Sequence, residues 1–398
     1  MKNTENFKKN PNSQELIEQC AEHARELLSR NLTPYGIAAA SVKAEDDKRH
    51  YHCVFGRDAA IAAFGMVVSG DTHLIKGACT ALRTLGEHQA ANGQIPKYVD
   101  PEKKEGDFWY LGCIDATLWW LLALDFVSRH TGINMNAELA EKSAKAIQWL
   151  QCQEHPRLHL LQQNEASDWA DIMPRSGFVL YTNTLWYEVK RCYKLPNLRE
   201  TRFHFNHLFR PFVRDLPEYR RLRLLMHYTR KNTTFSNLYL SFVNFSFFGD
   251  EGDVFGNLLG ILFGIPDHSV ATQMLYSLKQ MRVDAPMPVR VTVRPIGLSD
   301  PLWRLYMARH KQNREYCYHN GGIWPFVGAF WVMTLAAMGQ KKEALEAMTA
   351  LAATNQINGW EFNEWFKGDT GEPRGMEGQS WNASMFLLAH YALKHKVF

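Results

Sequence analysis

The alternation of apolar and polar positions along this chain is helical almost throughout. From Ser13, SQELIEQCAEHARELLSR places Leu16, Ile17, Cys20, Ala24, Leu27 and Leu28 on one face of a helix, with Ser13 as its N-cap. Further helical patterns run through DAAIAAFGMVV, residues 73–91, IDATLWWLLALDF, residues 137–153, TNTLWYEVKR, VFGNLLGILFG, DHSVATQMLYSLKQM, PFVGAFWVMTLAAMG, KKEALEAMTALAATNQ and QSWNASMFLLAHYAL. SNLYLSFVNFSFFGDEGD and VDAPMPVRVTVRP read as extended. Roughly twelve short-linked helices prefer antiparallel neighbours, so the expected fold is all-α, a series of helical hairpins. Residues 1–12 are polar and read as a disordered N-terminal segment, and 13–398 as a single domain.

The loops that precede these helices are unusual. GRD, IDATLWW, SDWAD, YHNGGIWP and NEWFKG recur along the whole chain, and a ring of hairpins would bring them to one end. The stretch 358–384 is the densest of them: Glu361, Glu364, Asp369, Glu372 and Glu377 lie among Trp360, Trp365, Phe366 and Trp381, with five glycines interrupting regular structure. Flat apolar rings can hold sugar faces, and burial beside them favours a protonated carboxyl. Asp58 either caps its helix or joins Arg57 in forking hydrogen bonds onto sugar hydroxyls. Asp115, ahead of Trp119, is either a second cap or a carboxylate at a pocket mouth. Asp168 and Asp171 flank Trp169.

Composition narrows the chemistry. With 398 residues, 22% charged and 13% aromatic, including 12 Trp, the chain is long enough to bury a large core and is not a disordered protein. The net charge of +4 argues against a general nucleic-acid binder, although residues 201–231 hold eight Lys or Arg against Asp215 and Glu218 and read as a basic face or insertion at about 200–231. No apolar run approaches the roughly 20 residues of a membrane span, and the N-terminus lacks the apolar core of a signal peptide. Seven cysteines without a CxxC pair fit free thiols in a reducing compartment, so a cytoplasmic protein without membrane partners is expected. There is no HExxH motif, no P-loop, no dinucleotide fingerprint and no G-x-S-x-G elbow, and neither metal nor cofactor is expected. Carboxylates beside tryptophans in loops suit glycoside hydrolysis, in which two carboxyl groups act from opposite sides of the anomeric carbon. A carbohydrate-binding or protein-binding helical toroid is the alternative.

The motifs Gly56-Arg57-Asp58, Ile114-Asp115-Ala116-Thr117-Leu118-Trp119, Asp168-Trp169-Ala170-Asp171, Asn183-Thr184-Leu185-Trp186-Tyr187, Tyr318-His319-Asn320-Gly321-Gly322-Ile323-Trp324-Pro325 and Glu364-Trp365-Phe366-Lys367-Gly368, followed by Pro373-Arg374-Gly375 and Gln379-Ser380-Trp381, resemble the six-hairpin glycosidases in kind and order. They are most similar to the amylo-α-1,6-glucosidase domain of glycogen-debranching enzymes and to the alkaline/neutral invertases. The resemblance implies an (α/α)6 toroid and an inverting mechanism. It implies Asp171 as general acid, beside the apolar ring of Trp169, and Glu364 as general base, with a carboxyl separation of ~6.5–9.5 Å. Asp168 as acid, Glu361 as base and a catalytic Asp115 are the competing assignments. Arg57, Asp58 and Asp115 would grip hydroxyls, His319, Asn320 and Trp324 would line the same subsite, and Trp119, Asp168, Trp169, Glu361, Trp365, Gln379 and Trp381 complete the expected substrate contacts.

Departures from both families matter for the substrate. Lys367 stands where debranching enzymes usually show Asp, and the chain is too short to hold their extra glucan-binding domains. The paired arginines usual after the invertase acid are missing after Asp171, whereas PRGMEGQSW has the debranching form. A small oligosaccharide with an α-1,6-type bond is the expected substrate, sucrose the alternative, and a catalytically silent sugar-binding protein the remaining one. The basic segment is expected to narrow the pocket, pack a homo-oligomer interface or meet an anionic substrate such as a sugar phosphate.

Overall fold

The computed structural model describes residues 12–41, 50–108, 113–212, 217, 219–244 and 246–398. Residues 1–11 of the expected disordered segment, the polar run 42–49, and Arg214, Asp215, Leu216 and Glu218 of the basic segment lie outside the described residues. In chain order the helices are α1 (Asn12–Asn31), α2 (Gly56–Val68), α3 (Thr72–Glu87), α4 (Ile114–His130), α5 (Met135–Glu138), α6 (Ala140–Gln151), α7 (Leu180–Cys192), α8 (Leu198–Leu208), α9 (Arg223–Asn232), α10 (Val254–Leu262), α11 (His268–Gln280), α12 (Pro325–Ala337), α13 (Lys341–Trp360) and α14 (Ser380–Ala392).

Six of them close a ring. α2 packs on α4, α4 on α7, α7 on α10, α10 on α12, α12 on α14, and α14 returns to α2. Between each consecutive pair the chain passes through a helix of an outer layer: α3 against α2, α6 against α4, α8 against α7, α11 against α10 and α13 against α12, while α1 fills the last gap against α13 and α14. This is an (α/α)6 toroid, as expected. The inner helices are apolar on every side because both faces are covered: every residue of α4 from 114 to 127 is buried, as are residues 56–67 of α2. The outer helices keep one apolar stripe, so that α3 buries Leu74, Ala78, Ala81, Leu82 and Leu85 and leaves its other face to solvent.

The approach between α2 and α14 depends on Gly65. A Cβ there would collide with the Ser384 backbone carbonyl and hydroxyl, and the Gly65 N–H instead donates to Ser384 Oγ at 3.0 Å.

Several boundaries differ from the sequence reading. Ser13 lies inside α1, not at its cap. Asp71, not the chain ahead of His73, starts α3, its carboxylate accepting from the N–H groups of His73 and Leu74 at 2.7 and 3.2 Å. The single helix expected over 137–153 is two, α5 and α6, broken at Leu139. Between the helical patterns at 73–91 and from Ile114, where the sequence reading assigns no element, Tyr98–Asp100 joins a three-stranded antiparallel sheet with Val54–Phe55 and Glu105–Asp107. Among the described residues no helix is long and apolar enough to cross a membrane.

Candidate active site

The loops ahead of the inner helices gather at one end of the ring around a cavity of about 780 Å³. Its wall is assembled from the start of α2 (Arg57, Asp58), the loop before α7 (Trp169, Asp171), the segment before α12 (Gln312, Tyr318, His319, Trp324) and the approach to α14 (Glu364, Trp381). The small sheet supplies Phe55, Tyr98 and Asp107, with Lys97 just ahead of its middle strand and His50 and Tyr51 just ahead of its first.

Glu364 is 3% exposed, and both of its oxygens accept hydrogen bonds: Oε1 from the Tyr51 hydroxyl at 2.9 Å and Oε2 from the Met376 N–H at 3.0 Å. The backbone there is a tight ladder, with the Glu364 N–H donating to the Met376 carbonyl at 2.8 Å and Trp365–Phe366 pairing with Pro373–Arg374. Gly375, at φ +79°, is required by that turn twice over: few side chains adopt the conformation, and a Cβ would strike Glu364 Oε2.

Asp171 sits on a turn built by its neighbours. Asp168 Oδ1 accepts from the Ala170 N–H at 2.8 Å, the Asp171 N–H donates to the Trp169 carbonyl at 3.0 Å, and Ile172 takes the left-handed conformation at φ +52°. Asn313, fully buried, donates from Nδ2 to the carbonyls of Asp171 and Ile172 at 2.9 and 3.2 Å, and its Oδ1 accepts from the His319 N–H at 3.0 Å. One side chain therefore ties the turn that carries Asp171 to the strand of loop that carries His319.

Between these carboxylates stands an aromatic wall. The His319 ring stacks on Trp324 at 4.7 Å between centroids, and Trp169 meets both edge-on, at 4.6 and 5.6 Å. Trp381 lies edge-on to Trp324 at 5.8 Å and under Arg57, whose guanidinium carbon is 6.0 Å from the ring centroid. Four buried ring nitrogens of this wall, Trp169 Nε1, Trp381 Nε1 and both nitrogens of His319, have no hydrogen-bond partner among the described residues. Burial, with Arg57 and Arg175 nearby, pushes the His319 imidazole well below its ordinary pKa, so it stands neutral, one nitrogen a donor and the other an acceptor. Buried polar atoms are normally satisfied, and here four unsatisfied ones cluster in residues that line one cavity.

Asp58 and Asp115 are not caps: the N-cap positions of α2 and α4 are Phe55 and Cys113. Asp58 lines the cavity, and burial, opposed by Arg57, raises it to about 6. Asp115 lies behind Arg57, accepting from its Nη1 at 3.2 Å and from the Tyr181 hydroxyl at 3.1 Å, while Trp119 Nε1 donates to that same hydroxyl at 2.7 Å. These residues orient Arg57 and do not form the cavity wall. Asp168 is also set back, bound by Gln163 Nε2 at 2.8 Å, and burial raises it to about 7. Asn320 is consumed by backbone contacts, accepting from the Ile296 N–H at 2.7 Å and donating to the Ile296 and Asn313 carbonyls. Trp365 packs edge-on behind Tyr318, 5.8 Å between centroids, and Gln379 is wholly buried at the N-cap of α14. Glu361 is elsewhere, bound to Asn358 and Asn363 and lining a second hollow with Glu377 and His52.

Sequence reasoning missed Tyr51, Phe55, Tyr98, Gln312, Tyr318 and Asn313. Tyr51 and Phe55 precede the recognised Gly56-Arg57-Asp58 and Tyr318 opens YHNGG, so adjacency to motifs was their signal; Asn313 carried none. Among the described residues one group has metal-ligand character, His52, Cys53 and Asp100, whose ligand atoms lie within 4.8 Å of one another, but Asp100 already accepts from Lys103 Nζ at 2.8 Å and from two backbone N–H groups.

Residues 224–396 match the family described as alkaline and neutral invertase. Cytosolic invertase 1 of Oryza sativa subsp. japonica and alkaline/neutral invertase CINV2 of Arabidopsis thaliana are each 26% identical over 146 residues, 35% of this chain; the match spans only about a quarter, 25%, of each relative's own length. In three dimensions the chain is similar to mannosylglycerate hydrolase from Thermus thermophilus, with a TM-score of 0.66 at 14% identity over 93% of this chain and 99% of that one. A glycosidase variant in complex with glucose superposes with a TM-score of 0.62 at 12% identity, over 97% and 99%. The fold shared with these structures is the (α/α)6 toroid, and the part similar in sequence to invertases contains Glu364 and the His319–Trp324 wall but not Arg57 or Asp171.

Proposed function

We propose that this chain is an inverting glycoside hydrolase that removes one sugar from a small substrate, with Asp171 as general acid and Glu364 as general base. The observation that carries the reading is that these two carboxylates, from loops before α7 and α14, line one cavity whose wall holds orphaned ring nitrogens and the Arg57–Asp58 pair. Asp171 delivers its proton to the glycosidic oxygen as the bond to the anomeric carbon breaks. Glu364 takes a proton from the water whose oxygen attacks the opposite face of that carbon. The Tyr51 hydroxyl and the Met376 N–H both donate to Glu364, contacts that suit an ionised carboxylate. Trp169, Trp324 and Trp381 shield the reacting carbon from bulk water, and Arg57, held by Asp115, is aimed at hydroxyls with Asp58.

Similarity to the invertases across residues 224–396 favours a sucrose-type bond. The Pro373-to-Trp381 segment, which holds Glu364 through Met376, has the debranching form and supports an α-1,6-glucosidic bond of a short oligosaccharide as the second reading. A cytoplasmic setting and a reaction without cofactor belong to the same proposal. Proton NMR of the anomeric signals during the first minutes with sucrose, isomaltose, panose and a limit dextrin tests it. Early β-glucose with fructose from sucrose supports the first reading, early β-glucose from isomaltose or panose the second. Early α-glucose from either would overturn inversion, and no hydrolysis of any of the four would overturn both substrate readings.

A further inference from the structure

The basic segment takes no part in the cavity: among the described residues none from 199 to 231 lines it. Instead, α8 and the start of α11 enclose a separate cleft of about 410 Å³, lined by Arg199, Arg202, Phe203, Asn206, His207 and Arg210 with Asp267 and Val270 opposite. That volume falls in the range of about 300–1,000 Å³ usual for small-molecule sites. Three guanidinium groups face a single carboxylate.

The cleft is built on fixed supports. Arg202 Nε and Asn206 Nδ2 both donate to the Ile265 carbonyl, at 2.8 and 3.1 Å, and the Tyr239 hydroxyl donates to Asn206 Oδ1. The outward nitrogen of Arg202, Nη2, rests on Asp267 at 2.9 Å, a carboxylate 83% exposed and therefore weakly held. Arg210 Nε is buried and has no hydrogen-bond partner among the described residues. His207 Nδ1 lies 2.7 Å from the Phe203 carbonyl and so carries the hydrogen, leaving Nε2 for another partner. Phe203 is 49% exposed and lies 4.2 Å from the His207 ring, an open apolar face beside the arginines.

Guanidinium groups recognise phosphate through paired, charge-assisted hydrogen bonds, and an exposed aromatic face packs against the C–H face of a sugar. We propose that this cleft is a second ligand site, separate from the catalytic cavity, that binds a phosphorylated monosaccharide: the phosphate on Arg199, Arg202 and Arg210, displacing Asp267, and the sugar ring on Phe203. Isothermal titration of the full chain with glucose 6-phosphate, inorganic phosphate and glucose tests it without reference to hydrolysis. One glucose 6-phosphate binds per chain, and Arg210→Met and the surface variant Arg199→Glu each weaken it about tenfold or more. Unchanged affinity in Arg199→Glu and Arg210→Met overturns the site. Inorganic phosphate binding as tightly as glucose 6-phosphate, or no loss in Phe203→Ala, overturns the sugar assignment, and tighter binding of a single-stranded RNA overturns the small-molecule one.

Discussion

Asn313 Nδ2 lies 2.9 Å from the carbonyl oxygen of Asp171, and through this contact a buried amide more than a hundred residues away in sequence holds the turn on which Asp171 stands. The same side chain receives the His319 N–H, so the position of one carboxylate and one wall of the cavity are set together. Removing the amide frees a turn that contains a left-handed Ile172. Asn313→Ala is expected to lower kcat by about a hundredfold, the cost of a displacement of about 1 Å in a reacting group, with a much smaller change in KM. Steady-state kinetics on the hydrolysed sugar decide it; an unchanged kcat would show that the turn holds Asp171 without help.

Asp171→Asn and Glu364→Gln preserve shape and remove proton transfer. Each is expected to lower kcat by about 10²–10⁴-fold while the product sugar still binds, as measured by titration calorimetry. Full turnover in either variant would remove that residue from the reaction.

The Tyr51 hydroxyl donates to Glu364 Oε1 at 2.9 Å. A hydrogen bond to a charged group is worth roughly 1.5–3 kcal/mol, so Tyr51→Phe is expected to cost about 10- to 100-fold in kcat with an unaltered fold. The accompanying sign is a shift of one limb of the pH–rate profile, because the base loses a donor to its charged form; a fall in activity with an unmoved profile would point to packing alone.

Gly375 bears on the cavity through what a side chain there would displace. Gly375→Ala drives a methyl group against Glu364 Oε2 and strains a backbone at φ +79°. A loss of kcat comparable to that of Glu364→Gln is expected, together with a lower melting temperature, whereas retained activity would mean that the Trp365–Arg374 hairpin moves as a unit.

Two carboxyls make stability depend on pH. Burial raises Asp58 to about 6 and Asp168 to about 7, above the ordinary carboxylate value they regain on unfolding. Between those values the folded chain holds protons that the unfolded chain has released, so their contribution is fully present below the ordinary carboxylate range and is lost as pH rises through about 6 to 7. Their contribution to melting temperature should therefore fall from about pH 4 to about pH 7, against the opposite trend of His319, whose lowered imidazole favours the fold as pH rises, and Asp58→Asn should remove the Asp58 share, so that the melting temperature of the variant relative to the parent rises across that range. An identical slope in the variant would show that Asp58 is ionised throughout.

Periodicity alone was enough to give helices and their hairpin order, because an inner helix covered on both sides must be apolar all round and an outer one must be striped, as α4 and α3 are. It was also enough to single out the loops holding Arg57, Asp171, His319 and Glu364, since polar and aromatic residues massed before an apolar helix are locally visible. What it left open was depth. Asp58 and Asp115 both lie in the first turns of inner helices, yet one lines the cavity and the other stands behind Arg57, held there by Arg57 from α2 and Tyr181 from α7. Glu361 and Glu364 are three residues apart and face different hollows because the chain turns between them. The basic segment showed its charge in the sequence, but only the contacts of α8 with Ile265 and Asp267, just ahead of α11, set arginines around a cleft of their own. Local patterns determine which residues gather at an element's end; contacts between residues far apart in the chain decide which of them reach the same space.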